Sequence, residues 1–181
     1  DSEDYITAVR QAQQKSQHTM AASQSGTPRS NKTKYNMQLM GIIAEIACKE
    51  YLEKIIRDNK SSNTWKVLRY DDVRTDEFKS PEGEYDLKIQ QVAEPEEEIY
   101  VESRSSITFD RSFQEGLEKY DIIGPYTSSA KTSEGANDIY LRPLYEYRDY
   151  IKNDYSKDHF ESLLQSAKFS LIGILDRHLP P

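Results

Sequence analysis

The stretch from Gly83 to Ser106 limits the fold more than any other part of the chain. It reads G-E-Y-D-L-K-I, then an acidic turn, then I-Y-V-E-S-R-S-S, and this pattern predicts a β-hairpin. Strand side chains alternate between faces, so Glu102 and Arg104 share one face and Ile99, Val101 and Ser103 the other. Asp86 and Lys88 share a face in the same way. With the turn centred near Glu94-Pro95, antiparallel partners keep a constant index sum, which sets Asp86 against positions 102 to 104. Two carboxylates and a cation then meet at one end of a two-stranded ribbon. Like carboxylates held close raise each other's pKa unless a cation intervenes. A divalent metal is the usual remedy, and hard oxygen ligands suit magnesium or manganese.

Length and charge narrow the possibilities around this hairpin. A chain of 181 residues suits one domain, or one domain with an extension. With 30% charged residues it is polar for a globular protein, so parts of it are expected to be loose or to face a partner. The formal charge of −7 rules out a global positive field, so any contact with a polyanion must be local, or be helped by metal or a partner chain. Cys48 is the only cysteine, which excludes an internal disulfide. With no signal-peptide pattern at the start, this points to a reducing, cytoplasmic setting. The longest apolar run, Leu171 to Leu175, is far short of the ~20 residues a bilayer span needs, so no membrane partner is expected.

Along the chain, Tyr5, Ile6, Val9, Ala12 and Gln13 mark a thin helical stripe within residues 1–24. A basic segment with Arg29, Lys32 and Lys34 follows a Ser-Gly-Thr-Pro break. Its bland reading is a solvated loop, and its functional reading is phosphate contact. Residues 36–58 carry apolar side chains at helical spacing, with Asn36 as the expected N-cap. Glu45 sits at the edge of that apolar face, where a side chain can reach inward. Trp65 to Tyr70 alternate as a strand, and an acidic loop spans Asp71 to Pro81. Phe109 to Tyr120 read as a helix and Ile139 to Leu141 as a short strand. His159 to Leu179 read as a final helix. Tyr145, Tyr147, Tyr150 and Tyr155 interleave with Arg148 and Lys152, a pattern that fits either half-buried packing or base stacking.

Taken together, Gly41-Ile-Ile-Ala-Glu45 on a helix, Gly83-Glu-Tyr-Asp86 entering a strand, and Glu102-Ser-Arg104 on the next strand resemble the PD-(D/E)xK nuclease superfamily. The resemblance covers roughly residues 36–125 and is nearest to small nuclease domains of prokaryotic restriction or defence systems. It implies an α/β fold of the restriction-endonuclease-like kind, a mixed central sheet flanked by helices with N- and C-terminal helical additions. Residues 1–35 would be an extension, and 36–181 the domain, including its C-terminal helix. The implied activity is metal-dependent DNA endonuclease, with a homodimer as a further expectation. Asp86, Glu102 and the carbonyl of Ser103 would ligate magnesium or manganese, and Glu45 would touch the ion directly or through water.

Arg104 stands where the family usually carries Lys. Arg keeps its proton at any working pH, so it can clamp a phosphate but cannot act as a base. Lys88, on the face of Asp86, and Lys119, on the following helix, are the candidate replacements. The alternative is a nuclease-like module that binds nucleic acid or a protein without cutting. Other chemistries lack their residues. His18, His159 and His178 have no zinc spacing, and Ser103, Ser105 and Ser106 have no paired base. No glycine loop forms a phosphate cradle, and no internal repeat is present.

Overall fold

The longest helix of the described structure, α2 (Asn31–Asp58), sets the position of everything around it. The computed structural model describes residues 2–21, 26–79, 85–108, 112–119, 137–146, 155 and 160–176. α2 begins earlier than its apolar stripe predicts. Ser30 is the N-cap, its hydroxyl accepting the Thr33 N–H at 3.0 Å, and a Ser cap stabilises a helix by ~1 kcal/mol. Asn36, the expected cap, is instead buried inside the helix and donates to the Tyr155 carbonyl at 2.6 Å. Lys32 and Lys34 therefore belong to the first turns of α2 and not to a loop.

α2 carries two apolar clusters along its length. Leu39, Met40, Ile42 and Ala44 enter the first, and Cys48 and Leu52 the second. Each fully buried Leu or Ile contributes roughly 1.5–3 kcal/mol from water exclusion. α1 (Ser2–His18) packs along α2 through Ala8 and Ala12, both fully buried. Small side chains let the two helices approach closely. The buried stripe of α1 is thus Ala8, Gln11 and Ala12, while Ile6, expected on the packed face, is 65% exposed. α1 shares its cluster with Ile107, Tyr145 and Phe160, so it belongs to the common core.

The other layer is a mixed sheet. β1 (Trp65–Arg69), β2 (Leu87–Gln91) and β3 (Glu98–Ser103) form an antiparallel meander. One turn of helix, α3 (Tyr70–Val73), opens the acidic segment after β1. β4 (Ser106–Ile107) resumes the line of β3, and α4 (Phe113–Lys119) follows within the predicted Phe109 to Tyr120, of which residues 109–111 and 120 lie outside the described residues. β5 (Ile139–Glu146) runs parallel to both β3 and β4. It extends well past the predicted Leu141. Its register on the next strand shifts between Arg142 and Pro143, where proline has no N–H for the ladder. Val67, Leu87, Val101 and Leu141 point from the sheet toward α2 and close the second cluster.

The predicted C-terminal helix is replaced by two elements. α5 (Phe160–Ser166) buries Phe160, Leu163 and Leu164, and then β6 (Lys168–Asp176) pairs antiparallel with β5 from end to end. Ile172, Gly173 and Ile174 explain the change, since β-branched residues favour a strand and glycine disfavours a helix. The architecture is mixed α/β, a sheet flanked by helices. Tyr147, Arg148, Tyr150 and Lys152 lie outside the described residues.

Candidate functional site

The β2–β3 ladder runs from Leu87 against Val101 to Gln90 against Glu98 and brings Asp86 to the end of β3, near enough to Glu102 to feel its charge. Leu87 faces Val101, so one step away from the turn Asp86 stands across from Glu102. The Asp86 carboxylate accepts the Ser103 N–H at 2.8 Å, and its carbonyl accepts the Tyr70 N–H at 3.1 Å. The side chain is thereby fixed at the end of β3. Its pKa is raised to about 7, first by loss of water and then by the charge of Glu102, with the Ser103 N–H and Lys15 pulling the other way.

Glu102 accepts from Asn137 Nδ2 at 3.3 Å, and Arg104 Nη2 lies 3.7 Å from its carboxylate. The Arg104 guanidinium also covers the Tyr140 ring at 5.5 Å. Glu102 and Arg104 share a face, as strand alternation predicts, and β5 supplies the aromatic floor under the arginine.

Glu45 approaches from α2. It is buried and 3.4 Å from Arg69 Nη1. Burial raises its pKa to about 8; Asp86 and Asp71 add to the rise, and Lys15 and Arg69 oppose it. Arg69 itself is a hub, 1% exposed. Its Nη2 donates to Gln11 Oε1 at 2.6 Å and to Asp72 Oδ1 at 2.5 Å. Lys15 Nζ is 2.9 Å from Asp71 Oδ2, and Arg74 Nη1 is 3.3 Å from Asp71 Oδ1. The site therefore has two parts that meet at Asp86. One is the Glu102–Arg104 strand end, and the other is the Glu45–Arg69–Asp71 network.

Among the remaining predicted residues, Lys32 is exposed and Arg29 and Lys34 half-exposed, all near the start of α2. Lys34 precedes Glu45 by 11 residues, which is ~16 Å along a helix axis, so these three form a group apart from the acids. Lys88 is held by Glu98 at 2.7 Å and lies over the Tyr85 ring. The side chain of Lys119 lies outside the described part. The lysine that the fold brings to the acids is Lys15, which the sequence argument did not select. Gln11, Arg69 and Asp71 were missed with it. The available signal was Ala8 and Ala12, small residues one turn apart that mark a close helix contact beside Gln11 and Lys15.

Among the described residues no three His, Cys, Asp or Glu side chains group as a metal cage. The donor types that would suit a hard divalent ion here are the two carboxylates, Asp86 and Glu102. Burial, and after it the charge of Glu102, raise Asp86, and a nearby cation would oppose both. The Cys48 sulfur lies 3.6 Å from the Ser103 hydroxyl, and burial pushes its thiol up to about 12. No helix among the described residues is long and apolar enough to cross a membrane. Compared with known proteins, the chain matches no family model, no curated protein and no solved structure.

Proposed function

We propose that this chain is a metal-dependent DNA endonuclease of the PD-(D/E)xK kind. The observation that carries the reading is Asp86 across from Glu102, with Arg104 beside the second acid. The order α2, β1, α3, β2, β3, β4, α4, β5, with β5 parallel to β3, supports a restriction-endonuclease-like core. In this reading Asp86, Glu102 and the Ser103 carbonyl hold magnesium or manganese. When bound, the ion supplies Lewis-acid activation of water and charge neutralisation at the phosphate. The Ser103 N–H keeps Asp86 aimed, and Asn137 keeps Glu102 aimed. Arg104 contributes a fixed charge to a phosphate oxygen and takes no proton.

The test is incubation of the folded chain with supercoiled plasmid and Mn²⁺ or Mg²⁺. Nicked and linear products are expected. Asp86→Ala and Glu102→Ala should each reduce cutting by about 100-fold or more, the scale for removing a charge-stabilising group. Absence of cutting by the wild type, or cutting that survives both substitutions, overturns the reading.

A second reading is favoured by one contact. Arg104, beside Glu102 at 3.7 Å, cannot give up its proton to activate water, which suits a site that binds without cutting. Arg104→Lys separates the two: cutting that appears only in this variant supports the non-cleaving module.

A further inference from the structure

The acid pair gives roles to the hairpin and to Glu45 but none to α1. Ala8 and Ala12 bring α1 against α2, and Gln11 and Lys15 project from the same face, one turn apart. Gln11 uses both ends of its amide. Its Oε1 accepts from Arg69 Nη2 at 2.6 Å, and its Nε2 donates to the Asp71 carbonyl at 3.1 Å. Lys15 holds the Asp71 carboxylate at 2.9 Å. Both contacts lead onward to the acids. Arg69 reaches Glu45 at 3.4 Å, and Tyr70, next to Asp71, donates its N–H to the Asp86 carbonyl at 3.1 Å. Burial disfavours the Lys15 charge, yet Glu45, Asp71 and Asp86 outweigh that and raise its pKa, so Lys15 stands as a fixed ammonium.

We infer that Gln11 and Lys15 are positioning residues of the acid site, α1 fixing Glu45 through Arg69 and Asp86 through the Tyr70–Asp71 turn. What the positioned acids do rests on the endonuclease reading, whereas the positioning itself does not. Groups that support a metal site from behind its ligands are worth 10–100-fold in metal affinity. α1 is then a working part of the site and not an appendage.

The experiment uses the full chain in two states. Without metal, the Ser103 amide resonance, whose N–H is donated to Asp86, is followed by ¹H–¹⁵N NMR. With metal, Mn²⁺ affinity is measured by calorimetry. Lys15→Met and Gln11→Ala should each move the Ser103 resonance while β6 amides stay in place. Each should also weaken Mn²⁺ binding about tenfold or more, with Lys15→Arg within about threefold of wild type. Folded Lys15→Met and Gln11→Ala variants with an unmoved Ser103 resonance and wild-type Mn²⁺ affinity overturn the inference. If Lys15→Met does not fold, Lys15→Gln, which keeps a donor for Asp71, is read by the same signals. A moved Ser103 resonance in a chain whose wild type binds no Mn²⁺ upholds the positioning and overturns the endonuclease reading.

Discussion

A carboxyl group stripped of water holds its proton, and the site has two such groups. Asp86 and Glu45 sit at about 7 and about 8 in the fold, well above the ordinary carboxylate range. A folded-state pKa above the unfolded one means that the folded chain binds more protons across the interval. Stability is then full below the unfolded values and declines as pH rises through the folded ones. The metal-free chain should therefore lose melting temperature between about pH 5 and pH 8, measured calorimetrically in EDTA. Asp86→Asn keeps an acceptor for the Ser103 N–H and removes the charge. It should raise Tm at pH 8 by roughly 3 °C, the shift that about 1 kcal/mol gives a chain of this size. A wild-type Tm that is flat or rising over this range would contradict the desolvated-acid account. The antiparallel register that sets Asp86 near Glu102 was legible from the sequence, because strand alternation and the index sum need nothing more. For Lys15 and Gln11 the sequence offered only the packed face marked by Ala8 and Ala12, since nothing local tells a helix lysine which distant turn it will meet.

Among the elements, the two helices that pack most closely are the most sensitive to added volume. Ala12 is fully buried between α1 and α2, so Ala12→Leu has no room without displacement. The substitution should cost about 1–3 kcal/mol in urea unfolding. An unchanged midpoint would mean that α1 does not pack as described. The same helix shows why elements are read unevenly from sequence. α2 announced itself through a long apolar stripe, although its true start at Ser30 lay in what read as a basic loop. The segment after His159 satisfied helical spacing through Leu163, Leu164, Ala167 and Leu171, yet from Lys168 onward it is a strand. Short apolar runs carry both periods at once. The partner decided the matter here, since β5 offered an open edge along its whole length.

For the molecule as a whole, the α/β class was legible from the sequence of elements, and the β5 connections were not. The parallel pairing of β3 with β5 joins residues far apart in the chain, which no local pattern records. α2 touches both apolar clusters and so ties the α1 side of the core to the sheet. Cys48 sits in the second of those clusters, 1% exposed, with Val67, Val101 and Leu141 around it. Its thiol, held protonated by burial, should ignore iodoacetamide in native buffer and react at the rate of a free thiol in urea. Native labelling at the free-thiol rate would show that α2 does not seal the sheet. The lone sulfur thus serves as a native stopwatch: each alkylation event records one moment when the long helix lifted away from its strands.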